Sequence, residues 1–184
     1  MRLFTAIEIS AEVRNHLRAL LERLRPAAKL SEPKKLSWTR LDHLHITTKF
    51  IGEWPEDRLE DMKHALAGVG SPGAIQVRIS AIGWFPNARN PRVLWAGVHA
   101  DESLKSLASA TDAVVNAIGV AREDREYSPH LTLARIRERA ALGALRTAID
   151  SLGPAEFGSF LATEFHLYLS AAGKYTKLAQ FGLT

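Results

Sequence analysis

The same short pattern occurs twice in this chain, once in each half. His45-Ile46-Thr47 and His130-Leu131-Thr132 each lie in an extended, apolar segment, and a predicted helix follows each of them. The offset between the two histidines is 85 residues (130 − 45), close to half of the 184-residue chain. This duplication constrains the fold more than any other feature, because two similar lobes that face each other are its simplest explanation.

The segments around this repeat alternate between predicted strands and helices. Branched, aromatic and other apolar residues predict strands over 1–9, 75–85, 92–98 and 130–136, a mostly extended segment over 36–51, and a closing hairpin of 157–170 with 175–183. Apolar residues at helical spacing predict helices from the N-cap Ser10 to Pro26, from Leu59 to near Gly68, after the N-cap Asp101, and over 138–152. Frequent hairpins favour an α+β fold with largely antiparallel sheets over a doubly wound parallel fold.

Composition and charge narrow the classes of function. Hydrophobic residues make up 46% and charged residues 24%, which is the balance of a soluble globular protein. The net charge of +4 suits an anionic partner without requiring one. The absence of cysteine excludes disulfides, thiol nucleophiles and cysteine-ligated zinc. No apolar stretch approaches the length of a membrane span, and Glu8 interrupts the start that a signal peptide needs, so we expect a cytoplasmic protein without a membrane partner.

The repeated motif combines two side chains that suit phosphodiester chemistry. Alternate residues of a strand face the same side, so His45 shares a face with Thr47, and His130 shares one with Thr132. In-line attack on a phosphodiester needs a base for the nucleophile and an acid for the leaving oxygen, and imidazole can fill either role. The two hydroxyls can hydrogen-bond the phosphoryl oxygens. Two such strands across a cleft therefore predict a two-histidine phosphodiesterase.

The sequence around the two histidines resembles the paired motifs of the 2H phosphoesterase superfamily. The segments that carry the resemblance are His43-Leu44-His45-Ile46-Thr47-Thr48-Lys49-Phe50-Ile51-Gly52-Glu53 and Tyr127-Ser128-Pro129-His130-Leu131-Thr132-Leu133-Ala134-Arg135. Residues 2–7 and 91–98 and the closing Tyr175, Leu178 and Phe181 are similar to its RNA 2′,3′-cyclic phosphodiesterase branch, historically called 2′-5′ RNA ligase. The resemblance thus spans nearly the whole chain. One departure is Thr48, where the family usually has an apolar residue, but alternation turns Thr48 away from the cleft.

The resemblance implies a fold and an activity. The fold is a single bilobal α+β domain over residues 1–184, with two largely antiparallel sheets facing a central cleft, helices outside and pseudo-twofold symmetry. The activity is the opening of a terminal 2′,3′-cyclic phosphate to a 2′-phosphate without a metal or cofactor. By the same likeness, His45 is the proton donor and His130 the proton acceptor. The implied partner is RNA with a cyclic phosphate end, such as a tRNA fragment, bound by a monomer.

Five further residues are candidates for contacts with the substrate. Lys49 continues the face of the first His-x-Thr pair, so a phosphate contact is easy, with an exposed lysine as the alternative. Arg135 lies three residues after the second threonine and faces away in a regular strand, whereas a bulge or the strand end would return it to the cleft for phosphate binding. Phe50, Trp38 and Trp95 are candidates for stacking on a base of single-stranded RNA, or else for the core.

Other functions remain open at this point. The same residues could catalyse the reverse reaction, joining RNA ends through a 2′-5′ bond. The substrate could instead be a small cyclic phosphate derived from a nucleotide or ADP-ribose. A third alternative is a non-catalytic module in which the histidines only hold an RNA end, although the duplication of both motif residues favours catalysis. A metal site is not expected, because His43 and His45 would need further ligands and no His-Glu-x-x-His occurs.

Overall fold

A computed structural model describes residues 1–30, 35–70, 72–137 and 140–183. In chain order its elements are β1 (Arg2–Glu8), α1 (Ala11–Lys29), β2 (Leu36–Trp38), β3 (His45–Glu53), α2 (Leu59–Ala67), β4 (Ile75–Phe85), β5 (Val93–His99), α3 (Glu102–Ala117), β6 (His130–Ile136), α4 (Gly143–Asp150), β7 (Glu156–Ala162), β8 (Glu164–Ala171) and β9 (Lys174–Gly182). Single turns of 3₁₀-helix lie before β3 and before α2. The predicted α+β class is confirmed.

The strands form two antiparallel sheets, one in each lobe. The first sheet has the strand order β3-β1-β8-β9, and the second has the order β2-β6-β5-β4-β7. Each sheet contains one of the two His-x-Thr strands, β3 in the first and β6 in the second. Helix α3 packs against β3, while α1 packs against β7 and α4. The predicted bilobal arrangement around a central cleft is therefore confirmed.

Helix α1 shows how the sequence builds the core beneath these sheets. The Ser10 hydroxyl accepts a hydrogen bond from the Val13 amide at 3.2 Å, which caps the first turn. A stripe of buried residues follows at helical spacing: Val13, Leu17, Leu20, Leu21, Leu24 and Ala28. The prediction that α1 ends at Pro26 is wrong. The helix continues through Pro26 to Lys29 despite the backbone hydrogen bond that the proline cannot make, and this last turn buries Ala28. Across the described residues, no helix has the length and apolar character that crossing a lipid bilayer requires.

The segment 157–170 crosses from one lobe to the other. The prediction of one continuous strand there is wrong, because the segment divides at Thr163 into β7 and β8. Strand β7 pairs with β4 in the second sheet, and β8 pairs with β1 in the first. The Thr163 carbonyl accepts a hydrogen bond from the Leu183 amide at 2.7 Å, which ties the crossing point to the end of the chain. Apolar alternation continues through the crossing, so periodicity does not reveal it.

The remaining predicted elements agree closely with the structure. Strands β4, β5 and β6 and helix α2 begin and end within about two residues of their predicted bounds. Asp101 caps α3, since its carboxylate accepts a hydrogen bond from the Ser103 amide at 2.9 Å. Helix α4 is shorter than predicted, because it begins at Gly143. The predicted start at residue 138 and the loop proline at residue 33 lie outside the described residues.

Candidate active site

The strands β3 and β6 repeat one backbone design. Over the seven positions that start at each histidine, the two strands have the same sequence of buried, half-buried and exposed residues. Each strand also has one extra residue directly after its motif threonine, which is Thr48 in β3 and Leu133 in β6. Such a β-bulge interrupts the alternation of faces. Strict alternation counted from the histidine therefore predicts the wrong face of the sheet for every residue after the bulge.

The bulge in β3 overturns the prediction for Lys49. This side chain does not continue the cleft face, and the residue is only 5% exposed. Its ammonium bonds the Asp112 carboxylate of α3 at 2.6 Å and the Ala121 carbonyl at 2.9 Å. Lys49 therefore lies on the helix side of β3 and holds α3 against the sheet. The expectation for Thr48 is confirmed, since its hydroxyl is buried against the Thr5 hydroxyl at 2.7 Å.

The same bulges bring Phe50 and Arg135 to the cleft side. These two residues occupy equivalent positions, each five residues after its histidine. Phe50 is 56% exposed, and its ring lies 6.4 Å from the ring of Phe4, which in turn stacks on His45. Arg135 is exposed, and its charge lowers the pKa of both motif histidines. Of the two geometries considered for Arg135, the bulged one is confirmed.

Both histidines are anchored in the same way. Nδ1 of His45 lies 2.7 Å from the carbonyl oxygen of His43, and Nδ1 of His130 lies 2.8 Å from that of Ser128. A carbonyl oxygen only accepts, so Nδ1 carries the proton in each ring. In each case the acceptor is two residues before the histidine, which fixes the ring orientation. Nε2 is therefore the nitrogen that each imidazole can use to exchange a proton with a bound molecule.

Burial and neighbouring charges keep both imidazoles neutral near pH 7. Burial lowers the pKa of His45 from 6.5 to about 4, and the charges of His43, Arg135 and His130 act in the same direction, against the hydrogen bond to the His43 carbonyl. The pKa of His130 is also lowered, first by burial and then by the charge of Arg135. Because these charges act on His45, the structure brings the two histidines and Arg135 into one site.

The rings around the two histidines were not predicted from the sequence. His45 stacks on Phe4 with a centroid distance of 4.8 Å and meets the edge of Tyr175 at 5.4 Å. His130 has one such neighbour within the described residues, the edge of Phe85 at 5.0 Å. These contacts depend on which strands pair, and the sequence pattern does not specify pairing. The only available signal was the occurrence of Phe4 and Tyr175 in the terminal segments that resemble the family.

Tyr127 is a further residue that motif analysis did not single out. Its hydroxyl donates a hydrogen bond to the Thr47 carbonyl oxygen at 3.0 Å. Tyr127 belongs to the loop that leads into β6, so this bond ties the entry to the second motif strand directly to the first. Burial raises the pKa of Tyr127, which keeps its hydroxyl protonated as a donor. The only indication of Tyr127 in the sequence is its position directly before Ser128-Pro129-His130 in the second motif segment.

Taken together, the site offers proton transfer and anion stabilisation. The two imidazoles can exchange protons with a bound molecule, and the two threonine hydroxyls and the Arg135 guanidinium can bind phosphoryl oxygens. Among the described residues, no group of three or more His, Asp or Glu side chains is arranged to hold a metal ion. This combination suits acid–base chemistry on a phosphate ester.

Comparisons with known proteins identify the family. The description "LigT like Phosphoesterase" matches residues 7–95. Over 173 residues, the chain is 31% identical to the RNA 2′,3′-cyclic phosphodiesterase of Methanocaldococcus jannaschii, covering 92% of this chain and 91% of that protein. The chain belongs to the LigT-like phosphoesterase family. The resemblance to 2H phosphoesterases inferred from the sequence is thereby confirmed.

Other members of the LigT-like family match over the whole chain. The RNA 2′,3′-cyclic phosphodiesterase of Methanothermobacter thermautotrophicus is 29% identical over 188 residues, covering 100% of this chain and 99% of that protein. The crystal structure of Escherichia coli LigT complexed with 3′-AMP has a TM-score of 0.76 and 27% identity, covering 100% of this chain and 98% of that one. The family fold thus extends through both lobes.

Proposed function

We propose that this protein hydrolyses the 2′,3′-cyclic phosphodiester at the end of an RNA chain to a 2′-phosphomonoester. The observation that carries the proposal is the pair of imidazoles, anchored identically on matching strands and close enough that the charge of His130 lowers the pKa of His45. Relatives named RNA 2′,3′-cyclic phosphodiesterase support the choice of substrate. Escherichia coli LigT has been solved with 3′-AMP, ATP and phosphate, which supports a nucleotide as ligand.

The proposed reaction is a single in-line displacement at phosphorus. Nε2 of His130 takes a proton from water, and the water oxygen attacks the cyclic phosphorus. The bond between phosphorus and the 3′ oxygen breaks, and Nε2 of His45 gives its proton to that oxygen. The product keeps the phosphate on the 2′ oxygen and gains a free 3′ hydroxyl. The direction of proton transfer follows the family resemblance, because the two imidazoles are anchored alike.

The low pKa of His45 makes its protonation depend on the substrate. A group with a pKa of about 4 is neutral near pH 7, whereas a general acid must carry an extra proton. The negative phosphodiester lies next to His45 in the bound state and raises the pKa of the imidazole. Binding of the substrate thus protonates His45, while His130 must remain neutral at the same time.

The other residues on the cleft side bind the substrate in this proposal. The hydroxyls of Thr47 and Thr132 hydrogen-bond the two nonbridging oxygens, where charge must be stabilised in the transition state. The Arg135 guanidinium adds a positive charge beside the same phosphate. Phe50, its counterpart across the pseudo-twofold axis, offers an open aromatic face on which the terminal base stacks.

The test is turnover of nucleoside 2′,3′-cyclic phosphates in the presence of EDTA, with products identified by phosphorus NMR. We expect 2′-phosphates as the only products, with His45→Ala and His130→Ala as matched controls that show little turnover. Binding without turnover in the parent protein would overturn the proposal in favour of a module that holds RNA ends. Loss of activity in EDTA with recovery on adding Zn²⁺ or Mn²⁺ would overturn metal independence.

A further inference from the structure

A cavity of about 200 Å³ opens beside His45, between β1, β9 and the turn that precedes β3. His45 itself forms part of its wall, so a molecule whose phosphate lies at this histidine can extend into the cavity. Sites that enclose a whole drug-sized ligand measure about 300–1,000 Å³. The cavity beside His45 therefore has room for one ring system rather than for a complete nucleotide.

A continuous series of aromatic rings leads from the open cleft into the wall of this cavity. Starting from the exposed Phe50, the next ring is Phe4 at 6.4 Å, followed by Tyr175 at 5.0 Å from Phe4 and His43 at 4.5 Å from Tyr175. The series passes over His45, whose ring stacks on Phe4. Proteins that bind single-stranded RNA stack successive bases on exposed aromatic side chains. Two stacking positions are thus present, one at each end of the series.

The charged groups of the cavity favour a neutral ligand with a polar edge. Lys177 is paired with Glu8, Asp42 is paired with Arg40, and Arg14 donates a hydrogen bond to the Ile9 carbonyl, so each cation of the wall already has a partner and a phosphate gains little there. Glu8 Oε1 accepts hydrogen bonds from the Tyr168 hydroxyl at 2.5 Å and from Lys177 at 3.1 Å. Within the described residues, no donor bonds the second oxygen of Glu8. The free oxygen of Glu8, an acceptor, and the ammonium of Lys177, a donor, therefore lie side by side. This pair matches the neighbouring donors and acceptors on the edge of a nucleobase.

We propose that this cavity binds the base of the nucleotide immediately 5′ to the cyclic phosphate end. The proposal rests on the proposed function, in which the terminal base stacks on Phe50 because that residue is the counterpart of Arg135 beside the phosphate. The cavity then receives the next base, which stacks on the exposed face of Tyr175 with its edge at Glu8 and Lys177. The preferred substrate is accordingly an oligoribonucleotide of two or more residues, and a free cyclic mononucleotide is hydrolysed less efficiently.

The experiment compares three substrates that share the same terminal nucleotide. These are a nucleoside 2′,3′-cyclic phosphate, a dinucleotide with a 2′,3′-cyclic phosphate end, and the same dinucleotide without its 5′ base. The intact dinucleotide should exceed the abasic one in kcat/KM by about 5- to 150-fold, the range that stacking of one base provides. Equal values would overturn the proposal, and lack of turnover of all three would instead overturn the proposed function.

Two variants and one matched control test the location of the base. In Tyr175→Ala and in Lys177→Met, the ratio between intact and abasic dinucleotides should fall towards one. The ratio cancels any general effect on catalysis, which matters because Tyr175 also contacts His45. Thr176→Ala is the control, since Thr176 lies between these residues on β9 and faces the other side of the sheet. An undiminished ratio in both variants would show that the base binds elsewhere and overturn the proposal.

Discussion

The two histidine strands have the same backbone but different surroundings. In β3 and β6 the burial order, the bulge after the threonine and the carbonyl that anchors the imidazole are all repeated. The packing around the two rings is not. His45 is enclosed by Phe4 and Tyr175, whereas His130 meets Phe85 edge-on. Burial accordingly lowers the pKa of His45 to about 4.

The side chains that follow the two motifs also differ between β3 and β6. At the buried position after the bulge, β3 has Lys49 paired with Asp112, whereas β6 has Ala134. At the next position on the cleft side, β3 has Phe50 and β6 has Arg135. The repeated backbone thus sets the geometry of two equivalent groups, and the neighbouring side chains give each group its own chemistry. A symmetric scaffold can in this way support an acid and a base.

The largest effects should come from the histidines themselves. His45→Ala and His130→Ala should each lower kcat by about 10²–10⁴-fold on a natural cyclic phosphate, which is the usual contribution of a general acid or base. Because both groups act in one transition state, the double variant should lose less than the product of the two single losses. Steady-state kinetics with the four proteins measures this. Full activity of either single variant would end the two-histidine mechanism.

A substrate whose leaving group needs no proton separates the two roles. A nitrophenyl phosphodiester should largely restore the activity of His45→Ala, because the acid is then unnecessary. It should leave His130→Ala slow, because that variant still lacks its base. Restoration of the His130 variant instead would exchange the two assignments.

The next largest effect should come from the ion pair that β6 lacks. Lys49→Met leaves the partly buried carboxylate of Asp112 without its partner, which should lower the free energy of unfolding by about 3–5 kcal/mol. Urea denaturation measures the loss. The matched double variant Lys49→Met/Asp112→Leu should recover most of the stability, since both charges are then removed. A Lys49→Met protein with unchanged stability and impaired turnover would mean that the lysine serves the cleft after all.

The difference in burial of the two histidines should appear in the pH dependence of stability. An unfolded imidazole takes up a proton near pH 6.5, whereas folded His45 does so only near pH 4. Stability should therefore be complete above pH 6.5 and fall by up to about 3 kcal/mol as the pH decreases to 4. Urea denaturation across this range measures the slope. His45→Gln should flatten it more than His130→Gln, and an equal effect would contradict the difference in surroundings.

The smallest effects should come from the threonines, and they should be alike in the two strands. Thr47→Val and Thr132→Val each remove one hydrogen bond to a charged group, worth about 1.5–3 kcal/mol, or about 10- to 150-fold in kcat. The pH optimum should not move, because neither hydroxyl transfers a proton. Thr48→Val is the matched control, since its hydroxyl bonds Thr5 away from the cleft and turnover should be retained. Unchanged turnover in Thr47→Val would contradict its role.

The sequence predicted the catalytic strands better than it predicted their surroundings. Strand β6 begins and ends at its predicted residues, and in each motif the histidine and the threonine are both half-buried while the residue between them is buried, because alternation over three residues needs no knowledge of the partner strand. The prediction for Lys49 is wrong because an extra residue in a strand leaves no mark in the hydrophobic pattern. For the same reason, the sequence alone does not distinguish the two geometries of Arg135.

Contacts between distant segments could not be predicted at all. Phe4 and Tyr175 reach His45 only because β1 pairs with β3 and β8, and β9 pairs with β8. The division of 157–170 is a similar case, since β7 and β8 are both apolar strands and differ only in the sheet that they join. Strand pairing is a long-range choice, and the local periodicity of one sequence does not encode it.

The crossing at Thr163 has a consequence for any attempt to separate the two lobes. Strand β2, from the first half of the chain, belongs to the second sheet, while β8 and β9, from the end of the chain, complete the first. A polypeptide cut near its midpoint would yield two fragments, and each would lack strands that its sheet requires. Neither half-molecule should fold as an independent unit, despite the internal repeat. Catalysis in a split protein should depend on both fragments being present together, so the symmetric halves are not autonomous modules.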